Sequence, residues 1–263
     1  MDSPTDKAVK TGTLGKIMDV LDAIAGTPGI RFTDVLEEVG QPRGTIHRHL
    51  SHLLEEGLVI LNQDGGYELG TRFLKLASKS WQQNSLRNIA GPLLTELQQQ
   101  TGETVHLAML QGPQVVYLDK VESNQSVRMH SQIGNASPIY CTGVGKAMLS
   151  ALPDEKIEGL IAQFDFHQYT EHTLKDSTAM WEEIKQIRAC GYAEDREEHE
   201  MGIRCVAAPL VCKEGRLLGG ISTTAPVYRI KPETLQQWRG VVTEAARSIG
   251  EACRYQLAPG HNT

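Results

Sequence analysis

The chain has 263 residues, enough for two domains that each bury a core. A hydrophobic content of 40% and a charged content of 22% exclude a low-complexity chain, and no apolar run approaches the roughly 20 residues of a membrane span. The net charge of −6 argues against strong non-specific attraction to nucleic acid, which scales with the number of phosphates neutralised. The first ten residues, MDSPTDKAVK, hold no apolar leader core. Five cysteines (141, 190, 205, 212 and 253), odd in number and without a CxxC pair, fit free thiols in a reducing cytoplasm.

Residues 1–12 are polar and aperiodic and predict a disordered tail. Leu14, Ile17, Met18, Leu21 and Ile24 mark a first amphipathic helix, ended near Gly26. Phe32, Val35, Leu36 and Val39 mark a second, closed by Gly40. Pro42 then fits the first turn of a third helix, whose apolar stripe is Ile46, Leu50, Leu53 and Leu54. Gly44, Thr45, Arg48, Ser51 and His52 fall on the opposite side. From Gln41 to Leu54 the chain has no acidic residue, two arginines and three histidines, although residues 1–70 as a whole hold six Lys/Arg against eleven Asp/Glu. LVILN, the turn QDGG and YEL predict a hairpin with Asp64-Gly65-Gly66 at its tip. Three short helices and a hairpin spell a winged helix-turn-helix over residues 13–70, and such a unit serves either DNA binding or protein interaction.

A connector helix over 71–85 follows, with Arg72, Lys75 and Lys79 as a further basic patch. Residues 86–256 predict a second, α+β domain with a mostly antiparallel sheet, and 257–263 a tail. Its elements are a helix from Leu86 to Gln100 and alternating strands around Val105–Met109 and 115–121. A third strand is expected over 127–133. Helices follow at Gly143–Leu152, from Pro153 to Ile161, and at Thr178–Cys190. Strands at Val206–Val211 and Leu217–Thr223 precede a last helix from Pro232.

Two stretches of this domain suggest chemistry. CTGVGKA (141–147) lacks the Gly at 140 and the Ser or Thr at 147 of a phosphate-binding loop, having Tyr140 and Ala147. What remains is a helix start rich in small residues, which serves either as a carboxylate site or as a close packing contact. GYAEDREEHEMGIRC (191–205) holds metal-capable residues at no standard zinc spacing and reads as a solvated charged loop. No metal ligand and no catalytic residue is assigned. Cys205 reads as a half-buried pocket wall just before an apolar strand, with Ser222, Thr223 and Thr224 offering hydroxyls.

Over essentially its full length the chain resembles the IclR family of bacterial transcriptional regulators. The resemblance rests on QPRGTIHRHLSHLLEEGLV, GGYELGTRFLKLA, TGETVHLAML, VVYLDKVES, VRMHSQIG, PIYCTGVGKAML, IRACGYAEDREEHEMGIRCVAAPL and GGISTTAP. It implies a cytoplasmic DNA-binding regulator of a catabolic operon, repression being the commoner sign, with a GAF-like effector-binding domain. It implies a homodimer or homotetramer on pseudo-palindromic double-stranded DNA, with no membrane partner and no cofactor beyond a small organic-acid effector. DNA contacts would come from Arg43, Gly44, Thr45, His47 and Arg48. The effector would touch Met129, Gly143, Val144, Asp195, Ile203, Cys205, Ser222 and Thr224. Arg43-Gly44 stands where many members have Lys-Ser, Thr224 where Ser is common, and Tyr140 where His is common. The competing readings are a metal-sensing regulator and a thiol-dependent enzyme carrying a helix-turn-helix module.

Overall fold

The computed structural model describes residues 12–126, 129 and 131–256, and it divides into two compact units, one ending at Gln82 and one beginning at Gln83. The expected tails over 1–11 and 257–263 lie outside the described residues.

The first unit holds α1 (Gly12–Gly26), α2 (Phe32–Val39), α3 (Arg43–Glu55), β1 (Val59–Leu61), β2 (Tyr67–Leu69) and most of α4 (Arg72–Gln83). Its core is the apolar stripe of each helix: Val20 and Ile24 of α1, Val35 of α2, and Ile46, Leu50 and Leu53 of α3, with Ile30 and Val59. Burying such side chains stabilises the unit by roughly 1.5–3 kcal/mol apiece, set against the entropy of ordering three short helices. Gly40 ends α2 with a φ of 65°, a conformation costly for residues with a Cβ, and its N–H donates to the Leu36 carbonyl. β1 and β2 pair antiparallel, Val59 opposite Leu69, and Asn62 closes the tip by accepting from the Asp64 and Gly66 N–H groups. The unit is the winged helix-turn-helix that the sequence predicts.

The second unit is built on a six-stranded antiparallel sheet. In chain order its strands are β3 (Thr104–Gln111), β4 (Gln114–Val121), β5 (Ala136–Pro138), β6 (Ala193–Arg196), β7 (Ile203–Val211) and β8 (Leu217–Pro226), and in space they run β5-β4-β3-β8-β7-β6. Helices α5 (Ser85–Thr101) and α9 (Pro232–Gln256) cover one face, packing Leu94, Leu97, Trp238, Val242 and Ile249 on Val105, Leu107, Val206 and Ile221. Helices α6 (Gly143–Ser150), α7 (Asp154–Ile161) and α8 (Ser177–Cys190) lie against the other, packing Val144, Met148 and Ile184 near Ala108 and Ala207. The period of two along each strand sorts the apolar residues to the first face and sets His106, Cys205, Ser222 and Thr224 on the second.

The structure corrects several sequence expectations. The strand expected over 127–133 falls partly on residues 127, 128 and 130, outside the described residues, and 129 and 131–133 form no strand; the edge strand is β5. The charged segment after Gly191 is no solvated loop. Ala193–Arg196 is β6, and Glu194, Asp195 and Glu198 are buried. Charge alone misled there, because paired carboxylates are held inside. Cys205 lies within β7, 6% exposed, rather than half-buried ahead of it. Thr223 points to the apolar face, away from Ser222 and Thr224, as strand alternation requires.

Candidate functional site

The candidate nucleic-acid interface is the outer side of α3. Arg43, Gly44, His47, Arg48 and His52 are exposed, Thr45 is half-buried, and no acid stands among them. His49 faces inward at 2% exposure, and burial together with neighbouring Arg48 pushes its pKa down, so it is a neutral packing residue. Ser51 turns its hydroxyl onto the His47 carbonyl of its own helix. The turn before α3 is tied to α1 by Gln41, whose amide donates to the Lys16 carbonyl at 2.9 Å. At the helix start the Phe32 ring of α2 sits under the Arg43 guanidinium and beside the His47 ring. A Cβ at Gly44 would meet nothing, so this surface is open. Arg72, expected in a basic patch, is instead paired with Glu56.

The second unit gathers its polar residues on the sheet face nearest α6. Asp195 of β6 lies opposite Cys205 of β7, and Cys205 opposite Thr224 of β8. Ser222, two residues before, lies opposite His106 of β3. α6 starts directly above this row. A Cβ on Gly143 would stand 2.4 Å from Cys205 Sγ and 3.1 Å from the Asp195 nitrogen, so only glycine lets the helix approach so closely. Burial drives the Cys205 and Cys141 thiols well above their usual range, Asp195 reinforcing it, so neither is an activated thiolate. Burial also pushes the Asp195 carboxyl up to about 7. Asp195 Oδ1 accepts from the Glu198 N–H at 2.8 Å.

Of the eight residues carried over for an effector, Gly143, Val144, Asp195, Cys205 and Ser222 are buried, and Met129, Ile203 and Thr224 are half-buried. Strand register or direct approach joins Gly143, Asp195, Cys205 and Thr224, with Ser222 on the same face, and Ile203 stands two residues before Cys205 on β7. Two clefts, of about 340 Å³ between α5 and α9 and about 560 Å³ beside α7 and α8, include none of the eight.

Sequence reasoning missed three residues of this face. Lys146 is fully buried on α6 and holds Glu183 of α8 at 2.9 Å and Glu198 beyond β6. Burial pulls its pKa down, but the two carboxylates outweigh that and leave it raised. The turn that presents Glu198 is fixed by Thr170 and Thr173, whose hydroxyls donate to the Glu197 and Glu198 carbonyls, each at 2.6 Å. His106 and Tyr117 are the others, their rings 5.1 Å apart. One charge in the otherwise apolar GVGKAML, and one imidazole in the alternating TVHLAML, were the available signals. Among the described residues no three His, Cys, Asp or Glu side chains are grouped to hold a metal ion.

A winged helix-turn-helix whose third helix is acid-free on its outer side from Arg43 to His52, joined to an α+β unit with a buried polar sheet face, defines the class of ligand-domain transcriptional regulators. The chain belongs to the IclR family. Residues 13–60 match the IclR helix-turn-helix domain, and residues 78–251 the family described as bacterial transcriptional regulator IclR C-terminal. It is 32% identical over 237 residues to the HTH-type transcriptional regulator BhcR of Paracoccus denitrificans, covering 90% of this chain and 85% of that protein. It is 30% identical over 251 residues to the transcriptional repressor IclR of Escherichia coli, covering 94% and 91%. The crystal structure of the Thermotoga maritima IclR superposes with a TM-score of 0.70 at 30% identity, over 90% of this chain and 97% of that one. The protein is therefore an HTH-type, DNA-binding transcriptional regulator. Among the described residues no helix is long and apolar enough to cross a membrane.

Proposed function

We propose that the protein is a cytoplasmic repressor of a catabolic operon, released or retained on its operator by a small organic acid, and that it performs no catalysis. Residues 13–70 bind DNA, 71–85 connect, and 86–256 bind the effector and assemble a homodimer or homotetramer. Two α3 helices then enter successive major grooves of a pseudo-palindrome. Arg43 and Arg48 contact phosphate or guanine, and Gly44, Thr45 and His47 approach base edges or backbone. The observation that carries the reading is the exposed, acid-free start of α3 on a packed helix-turn-helix.

The effector site proposed is the α6 start and the polar sheet face: Gly143, Val144, Asp195, Cys205, Ser222 and Thr224, with Met129 and Ile203 at its margin. Helix-start N–H groups and hydroxyls suit a carboxylate. The effector shifts operator affinity by the difference in its affinity for the DNA-competent and incompetent states.

Selection of duplexes from a random library with the full chain yields the operator. Arg48→Ala should then bind it about 5- to 150-fold more weakly, the worth of one good base or phosphate contact, with an unchanged thermal transition. Unchanged affinity removes Arg48 from the interface. A library that yields no enriched sequence removes the operator reading altogether.

A further inference from the structure

His106 is 3% exposed in the middle of the sheet and stands beside Ser222 and Thr224. Its Nε2 lies 2.7 Å from the Ser131 hydroxyl. Its Nδ1 lies 3.5 Å from the Ser222 hydroxyl and 3.5 Å from the Thr224 hydroxyl. A formed hydrogen bond of this kind measures about 2.7–3.2 Å. Two hydroxyls thus converge on one ring nitrogen and neither closes on it. Tyr117, with its ring 5.1 Å away, backs the imidazole. The neighbouring cation is already engaged: Lys120 Nζ donates to the Met129 and Ser131 carbonyls at 2.7 and 2.8 Å and pairs with Glu122 at 2.9 Å.

We propose that His106 is a specificity-determining residue of the effector site, and that its Nδ1 and the Ser222 and Thr224 hydroxyls form a three-donor cradle for one acceptor oxygen of the ligand. With Nε2 accepting from Ser131, the imidazole carries its hydrogen on Nδ1 and presents it to the site. Burial, helped by Lys120, holds the His106 pKa down at about 3, so the ring stays neutral and recognises an oxygen by direction rather than by charge. The oxygen it fits is a hydroxyl or oxo oxygen carried by the acid in addition to its carboxylate, which faces the α6 start. The proposal rests on the effector site described above.

Matched acids test it: pyruvate against propionate, 4-hydroxybenzoate against benzoate, and D-gluconate against hexanoate. Each is titrated into the full-length protein by calorimetry, with thermal shift as a second readout. The wild type should bind the oxygenated member of at least one pair about tenfold more tightly than its partner. His106→Phe should bring that ratio close to one, and His106→Asn, which keeps a side-chain donor, should recover part of it. Thr224→Val, which keeps the shape and deletes one donor, should lower the ratio too and serves if His106→Phe fails to fold. A ratio that survives in His106→Phe or Thr224→Val, or a wild type that discriminates within none of the pairs it binds, overturns the role of His106 and leaves the acid-binding site standing. A wild type that binds none of the six acids overturns the acid-binding site, and this proposal with it.

Discussion

The Arg43 guanidinium stands 5.0 Å above the centroid of the Phe32 ring, and the His47 ring meets the same phenyl edge-on at 6.2 Å. One side chain of α2 therefore sets the posture of two side chains at the start of α3. An exposed cation–π contact contributes about 0.5–1 kcal/mol. Phe32→Leu should keep the domain folded and weaken operator binding about two- to fivefold. A gel-shift titration against the selected operator checks this. Undiminished affinity would show that Arg43 and His47 hold their posture without the ring.

Lys146 of α6 faces both Glu183 and Glu198, and Arg196 of β6 also reaches Glu183, at 3.5 Å. Lys146→Met leaves two buried carboxylates together and should cost about 3–5 kcal/mol in a chemical denaturation titration. The loss should depend on pH. Without the ammonium Arg196 still faces Glu183 at 3.5 Å, but buried Glu198 resists ionisation when folded, so the folded variant retains a proton that the unfolded chain sheds. Its deficit should grow as pH rises above the ordinary carboxylate range and shrink toward pH 4. Adding Glu198→Gln to Lys146→Met should recover part of the loss at neutral pH. A pH-independent deficit would mean that packing, and not charge, is what Lys146 supplies.

Asp195 follows the same sign for a different reason. Burial raises its carboxyl to about 7, against an ordinary value near 4. The folded protein thus keeps a proton that the unfolded chain releases, and stability falls as pH rises between about 4 and 7. Asp195→Asn keeps an oxygen to accept from the Glu198 N–H and carries no charge. It should be more stable than the wild type at pH 8 by about 2–4 kcal/mol, with the gain gone by pH 4. Denaturation curves at the two pH values decide it, and equal gains at both would place the titration elsewhere.

Gly143 is where helix and sheet nearly touch. Gly143→Ala puts a methyl group 2.4 Å from Cys205 Sγ and should cost about 1–3 kcal/mol by overpacking. Cys205→Ala in the same chain removes the obstructing sulfur, so the double variant should lose less than the sum of the singles. Additive losses, measured by thermal unfolding, would mean that the Asp195 backbone is the real obstacle.

The helix-turn-helix was legible because its signals are local: Gly40, Pro42 and the stripe from Ile46 to Leu54 determine α2, the turn and α3 within a few residues of one another. The sheet face was legible in part. Alternation identified β3 and β4, apolar runs around the turn at 213–216 identified β7 and β8, and residue chemistry singled out Cys205, Ser222 and Thr224 before the family resemblance did. It could not place Glu198 beneath Lys146, because the partners are 52 residues apart and each alone reads as a solvated charge. His106 escaped for a related reason. Its neighbour Ser222 is 116 residues away, and only the pairing of β3 with β8 brings them together.

The alternation of β8 bears on how such a protein diversifies. Ile221 and Thr223 face the α5 and α9 layer, and Ser222 and Thr224 face the other side of the sheet. Positions 222 and 224 can therefore change without disturbing the α5 and α9 layer, whereas Gly220 on the same side is held by α6, since a Cβ there would stand 2.8 Å from Val144 and Met148. On the effector site proposed above, exchanges at 222 and 224 would alter what is sensed without renegotiating the packing of the opposite face.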